Sequence, residues 1–385
     1  QSKIITTTLT STNQFDVDDF YLSSDDAKPA IIFYDALKPR RKVLDKQLAI
    51  VATSLEKYQP DAYWSILSAN KNNDRFVISI ESPTHSPQLV LLDIKRNKLI
   101  ELQKHPGASA IKLSAGLVIA NQGEDNQISG YITLPSRSSE SQILDSTNKN
   151  SYPLLIRVHG GPFEVREKWR FDPEAHWLAS QGIALLTFNY RGSDGFGEAF
   201  KSAAFQQLRT TFEEDISDIV GAAMKQYPVD ISRVCLYGAS YGGNAVLSEV
   251  IEQGDDYSCA ILHSAVTDLA ALYQTLDEKS QRQFIQQFGN PRDPKWLNNN
   301  DLLKDGDDIE VPLLVIYGGK DKLVAPDQSE KLVSALDNPE QKKLLTKVYL
   351  EQADHHFSNQ QHKAAMYNAI AQFLKLHLLQ RNGAQ

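Results

Sequence analysis

The stretch Arg233-Val-Cys-Leu-Tyr-Gly-Ala-Ser-Tyr-Gly-Gly243 decides how this chain is read. Its apolar run, Arg233–Tyr237, has the length and composition of a buried strand. The run ends at Gly238, and a helical pattern takes over near Asn244. Between them stands Gly238-Ala-Ser240-Tyr-Gly242, a G-x-S-x-G sequence in the strand–turn–helix setting that a nucleophile elbow requires. A serine at the tip of so tight a turn needs small neighbours, and Gly238 and Gly242 supply them. Such a turn exposes Oγ and aims the helix N-terminus at developing negative charge. A glycine-rich turn with an incidental serine would read the same in isolation, so the rest of the chain has to agree with it.

A chain of 385 residues is long for one ordinary domain and suits two. With 41% hydrophobic and 23% charged residues it has ordinary globular composition and material for a large core. The net charge is −8, and no dense basic stripe argues for nucleic acid. The densest basic cluster, Lys38-Pro-Arg-Arg-Lys42, lies between apolar runs and is expected to be a solvated turn. Cys235 and Cys259 both fall in apolar β-like runs. Two buried free thiols are expected, with a bridge between neighbouring strands as the alternative. No apolar stretch approaches a membrane span, and no signal peptide is read. The chain begins at Gln1, which is read as a processed or partial chain. Its compartment stays open: soluble and cytoplasmic, or periplasmic or secreted if a leader was removed.

Residues 1–110 show little helical periodicity, and two stretches resemble each other. Phe20–Ser24, Ile31–Asp35 and Lys42–Leu44 correspond to Phe76–Ile80, Leu89–Asp93 and Lys98–Ile100, each set separated by polar and basic turns. A repeated strand–turn–strand–turn–strand unit suggests blades of a β-propeller. Two blades cannot close a ring, so either most of the propeller is absent or the two units form a small β-domain; a plain meander reads similarly. Pro106-Gly107 breaks the pattern. Gly116–Ala120 and Gln127–Leu134 read as a hairpin around polar Asn121–Asn126, and Pro135–Ser151 as an exposed loop.

From Tyr152 the rhythm changes. Strands are expected at Leu154–His159, Ile183–Phe188, Arg233–Tyr237, Ser258–His263, Pro312–Tyr317 and Lys347–Leu350, with helical patterns between most of them, clearest over Leu208–Tyr227, and a last one over Gln361–Leu379. That alternation means a mostly parallel sheet covered on both faces, with reactive groups gathered at the carboxyl ends of its strands. Three further motifs fall at such ends. His159-Gly-Gly-Pro162 can bring backbone N–H groups close to an oxyanion, so the N–H groups of Gly161 and Tyr241 are the expected oxyanion hole. His159 itself is expected to shape that turn. Asp321, in Tyr317-Gly-Gly-Lys-Asp321, can fix a histidine tautomer, and one histidine of Ala353-Asp-His355-His356-Phe357 can act as general base to Ser240. The order Ser240, Asp321, His355 is that of an α/β-hydrolase. Adjacent His355 and His356 prompt a metal reading, but there is no H-E-x-x-H pattern and no third ligand, so no metal or organic cofactor is expected.

Together these motifs resemble the prolyl oligopeptidase family of serine peptidases, most closely its acylaminoacyl-peptidase and dipeptidyl-peptidase-like branch. The resemblance covers most of residues 115–380. It includes Gly130–Pro135, Asp172-Pro-Glu174, Asn189-Tyr-Arg-Gly-Ser193 and Asp215-Ile-Ser-Asp218 besides the elbow and the two loops. Two departures stand out: His356 where the family commonly has glycine, and Asn244 where it often has tyrosine. The resemblance implies an α/β-hydrolase catalytic domain over 111–385, with a β-rich region over 1–110 as the last blades of a propeller. It implies Ser240 as nucleophile, Asp321 as orienting acid and His355 as base, acting on short peptides. Asn189–Gly192, Asp215 and Asp218 are expected to brace the sheet and the elbow helix. The residues alone also allow a carboxylesterase-type hydrolase, or an inactive fragment or binding scaffold. Exposed edges in the β-rich region leave room for a homo-oligomer.

Overall fold

The computed structural model describes residues 8–10, 15–23, 28–104, 113–121, 127–136 and 151–380. The Pro106-Gly107 break, the hairpin tip at 122–126 and nearly all of the 135–151 loop lie outside them. The chain divides into two compact units, one comprising residues up to 107 with 168–171 and 194–201, the other the remainder.

The first unit holds two antiparallel sheets. One joins β1 (Asp19–Leu22), β2 (Pro29–Asp35) and β3 (Pro39–Val43). The other is a meander of β4 (Tyr63–Ala69), β5 (Arg75–Ser82), β6 (His85–Asp93) and β7 (Lys98–Lys104). The six strands of the repeat are present, but the two copies differ. The second has an additional first strand, β4, and a helix, Lys46–Tyr58, precedes it. That helix corrects the expectation of little helical structure. Asp45 caps it, accepting from the N–H groups of Gln47 and Leu48, and Leu48, Val51 and Leu55 bury one face. The β-branched residues Ile50, Val51 and Thr53 mask this pattern locally, and packing overrides them. The helix shares one core with Ile31, Phe33, Trp64, Phe76, Ile78 and Leu92.

The basic cluster is also corrected. Pro39–Val43 is strand β3, paired with β2, rather than a solvated turn. Arg41 lies over the Trp64 ring at 4.7 Å and donates to Glu56 and to the carbonyl of Ala62. Its neighbours Arg40 and Lys42 alternate outward, as the period of a strand requires.

The second unit is built on an eight-stranded sheet. In chain order its strands are β8 (Leu113–Asn121), β9 (Gln127–Pro135), β10 (Tyr152–Val158), β11 (Ala184–Asn189), β12 (Val229–Ala239), β13 (Cys259–His263), β14 (Leu313–Gly318) and β15 (Leu345–Leu350). Their spatial order is β15-β14-β13-β12-β10-β11-β9-β8. The β8–β9 hairpin is antiparallel, β9 joins β11 antiparallel, and the remaining pairs are parallel. All six strands expected after Tyr152 are found. β11, β13 and β14 are buried along their whole length, whereas the edge strand β15 alternates with exposed residues, including Lys347 and Tyr349. β10 has β11 on one side and β12 on the other, so the winding reverses there. Ligands of open α/β sheets collect in the crevice at the carboxyl ends of such a reversal.

Cys235 and Cys259 form a disulfide, which corrects the expected free thiols. The reason is register. β12 and β13 are parallel neighbours that pair Cys235 directly with Cys259, with Cα atoms 4.7 Å apart. The bond closes a loop of 24 residues. Chain-entropy bookkeeping gives such a cross-link roughly 3 kcal/mol of stabilisation. The chain unfolded without reductant should therefore present no thiol to Ellman's reagent and two after reduction. Urea unfolding of a Cys235→Ala/Cys259→Ala chain should show a loss of that order. Two reactive thiols before reduction would contradict the bond.

Candidate active site

The elbow forms at the end of β12. Ser240 has φ 56° and ψ −124°, and Tyr241 opens the helix Tyr241–Glu252, three residues earlier than the pattern suggests. A β-carbon on Gly238 would collide with the carbonyl of Gly242, and one on Gly242 with the carbonyl of Val158, so neither position tolerates a side chain. The strained serine is held at both backbone groups. Its N–H donates to the carbonyl of His263 at 3.0 Å, and its carbonyl accepts from Val266 N–H at 3.0 Å.

The glycine turn after β10 lies against this serine. A β-carbon on Gly160 would stand 3.3 Å from Ser240 Cβ and 3.9 Å from its Oγ. Gly161 follows with φ 117°, a conformation that favours glycine. His159 shapes the turn. Its Nδ1 bonds the Gly160 carbonyl and its Nε2 the Ser193 hydroxyl, both at 2.8 Å, and its ring stacks on Tyr190 at 4.4 Å. Burial pushes its pKa down to about 4, so this imidazole is neutral at ordinary pH. The segment after the turn is anchored by Arg157, whose partly buried guanidinium pairs with Glu167, Asp172 and Glu174. Asn189 adds a side-chain bond to Glu167 N–H at 2.7 Å. Beyond Tyr190, Asp215 accepts from both the N–H and the guanidinium of Arg191.

Asp321 and His355 meet directly, His355 Nδ1 to Asp321 Oδ2 at 2.7 Å. The other carboxylate oxygen accepts from Leu323 and Val324 N–H at 2.9 Å. Burial alone would raise this carboxyl, but the His355 and backbone hydrogen bonds outweigh it and hold it below the usual range. His356 does not share the bond; it is exposed and sits edge-on to His355 with ring centroids 5.0 Å apart.

Among the described residues no hydrogen bond joins Ser240 Oγ to His355. The two halves of the site are linked through His263, which the sequence reading leaves unnoticed inside a strand. Its carbonyl holds Ser240, and its ring meets Phe357, two residues past His355, edge-on at 4.7 Å. Burial, then the charge of His355, push its pKa down to about 4. A histidine at the carboxyl end of the strand beside the elbow was the available signal. Asn244 donates to the Val266 carbonyl at 3.0 Å and so ties the elbow helix to the segment following β13.

A mainly parallel sheet with a strained serine at one strand end and an aspartate–histidine pair at two others defines an α/β-hydrolase. The model of the prolyl oligopeptidase family (Peptidase_S9) matches residues 169–381, more than half of the chain, and the chain belongs to that family. It is 31% identical over 219 residues to dipeptidyl aminopeptidase BIII of Pseudoxanthomonas mexicana, covering 55% of this chain and 31% of that protein. It is 24% identical over 345 residues to dipeptidyl peptidase family member 6 of Caenorhabditis elegans, covering 83% and 46%. In fold it is similar to a puromycin-hydrolyzing peptidase of Mycobacterium tuberculosis, with TM-score 0.74 and 21% identity over 94% of this chain and 54% of that one. The chain thus spans less than half the length of these two curated relatives.

One carboxyl on the elbow helix gives a pH test. Glu249 is 5% exposed and accepts from Tyr257 Oη at 2.7 Å. Burial pushes its pKa up from 4.5 to about 7. The folded chain keeps this proton to about pH 7, while the unfolded chain loses it near 4.5. Its stabilisation is therefore complete below pH 4.5 and is lost as pH rises through 7, a change of roughly 3 kcal/mol. Urea unfolding at pH 4.5, 6 and 8 should show Glu249→Gln losing less stability than the parent across that window. Parallel profiles would refute the assignment.

Proposed function

We propose that this chain is a serine peptidase that cleaves short peptides through an acyl-enzyme on Ser240. The observation that carries the reading is the 2.7 Å bond between His355 Nδ1 and Asp321. It leaves Nε2 as the nitrogen available to a nucleophile, in the arrangement that a Ser-His-Asp triad uses. In this reading His355 takes the Ser240 proton as Oγ attacks the scissile carbonyl. The N–H groups of Gly161 and Tyr241 hold the oxyanion, and Asp321 stabilises the imidazolium. His355 then returns the proton to the departing amine, and water hydrolyses the ester by the same steps in reverse. Hydrogen bonds between nucleophile and base are often formed only once substrate binds, so the lack of a Ser240–His355 bond among the described residues does not oppose this reading. Relatives named for dipeptidyl and acylamino-acid release support short peptides as substrates. We read residues 1–110 as the closing blades of a propeller and 111–385 as the catalytic domain. The four-stranded meander β4–β7 supports the first half of that division.

Aminoacyl and N-acyl-peptide p-nitroanilides should be turned over by the parent chain. Ser240→Ala should abolish turnover and fluorophosphonate labelling. Asp321→Asn should lower kcat by about 10⁴ with the fold intact, because the wrong tautomer is then presented to the serine. Turnover of p-nitrophenyl esters without anilides would favour an esterase, and equal activity in the parent and Ser240→Ala chains would remove Ser240 from the chemistry.

A further inference from the structure

The two proposed oxyanion donors come from different elements, Gly161 from the turn after β10 and Tyr241 from the elbow. Their separation must be held to a few tenths of an ångström for both N–H groups to meet one oxygen. The two turns touch through their backbones, Gly160 against Ala239 and Ser240, but no hydrogen bond joins them among the described residues. One side chain touches both. Phe288, the last residue of the helix Glu278–Phe288, packs on Tyr241 with ring centroids 5.5 Å apart, and on Phe163, two residues past Gly161, also at 5.5 Å.

Phe288 is itself anchored. Trp296 Nε1 donates to its carbonyl at 2.5 Å, and Gly289, with φ 99°, ends the helix there. The preceding carbonyl, of Gln287, accepts from Gln206 N–H at 2.7 Å. Phe284 lies against its ring, tilted by 30° with ring centroids 4.6 Å apart. Phe288 also lines a cavity of about 470 Å³, together with Tyr241, Asn244 and Ser248 of the elbow helix. Phe163 and Tyr241 are both buried, and the Phe288 ring bridges their side chains where the backbones of the two turns already lie in contact.

We propose that Phe288 is the positioning residue of the oxyanion hole, setting the Gly161 turn and the Tyr241 N–H at the spacing that the tetrahedral intermediate needs. The inference rests on the peptidase reading above. It touches no substrate in this role, so its effect falls on the transition state and spares ground-state binding.

The test compares the parent chain with Phe288→Leu and Phe288→Ala in anilide turnover and in binding of a peptide aldehyde, whose hemiacetal with Ser240 places its oxygen in the hole. Phe373→Leu, a buried aromatic in the last helix, is the control for a core void. Both Phe288 variants should lose about tenfold or more in kcat, with KM within about threefold, and their aldehyde Ki should weaken in step with kcat. Phe373→Leu should cost comparable thermal stability without moving the aldehyde Ki. If Phe288→Ala does not fold, Phe288→Leu alone decides. A Phe288→Leu chain with parental kcat and aldehyde Ki overturns the inference and leaves the peptidase reading standing, as does a Phe373→Leu chain that weakens aldehyde binding equally. A parent chain whose aldehyde binding survives Ser240→Ala overturns both.

Discussion

The structure depends on one strained turn. Ser240 occupies a positive-φ conformation that a residue with a β-carbon avoids, at a cost of order 1–3 kcal/mol. It persists because neighbouring strands over-determine it. β13 receives its N–H through His263, the segment after β13 binds its carbonyl through Val266, and Gly242 lets the end of β10 approach the backbone of the elbow. The parallel pairs β10–β12 and β12–β13 therefore hold the sheet together and also keep the serine in place.

Burial sorts the histidines around the sheet's carboxyl edge into different roles. His159 and His263 lie deep enough that desolvation keeps them neutral, so they act as shaped, hydrogen-bonding pieces of the scaffold. His355 alone of these three has a carboxylate at its Nδ1. A charge on His263 would oppose an imidazolium at His355. The low pKa of the inner histidine thus suits the role proposed for the outer one.

The turn that follows β10 is braced by a different kind of interaction. Arg157 points from a central strand into three carboxylates, and the Asn189 amide adds a bond to the same segment. Each member keeps part of its surface in water, so removing one partner costs less than it would in a fully buried pair, yet it leaves charges without compensation beside the turn. Coulombic and aromatic contacts thus converge on the same loop, Arg157 and Asn189 from the sheet and Phe288 through the Phe163 ring.

The alternating apolar runs after Tyr152, the G-x-S-x-G turn and the chain order Ser240, Asp321, His355 were all legible in the sequence, because each is a local pattern tied to one strand end. So were the six strands of the N-terminal repeat. The helix Lys46–Tyr58 was not, since β-branched residues obscure a face that only packing on Trp64 and Phe76 selects. Arg41 was invisible as a strand residue because its burial comes from a tryptophan more than twenty positions away. Pairing of Cys235 with Cys259 depended on strand register, which composition does not contain. The roles of His263 and Phe288 depend on neighbours brought together across loops, and no spacing in the chain marks them. Sequence by itself determined the type of sheet and offered the candidate residues for chemistry. Only the tertiary structure decided which of them touch, because hydrogen bonds and ring contacts act over a few ångströms and join residues that lie far apart along the chain.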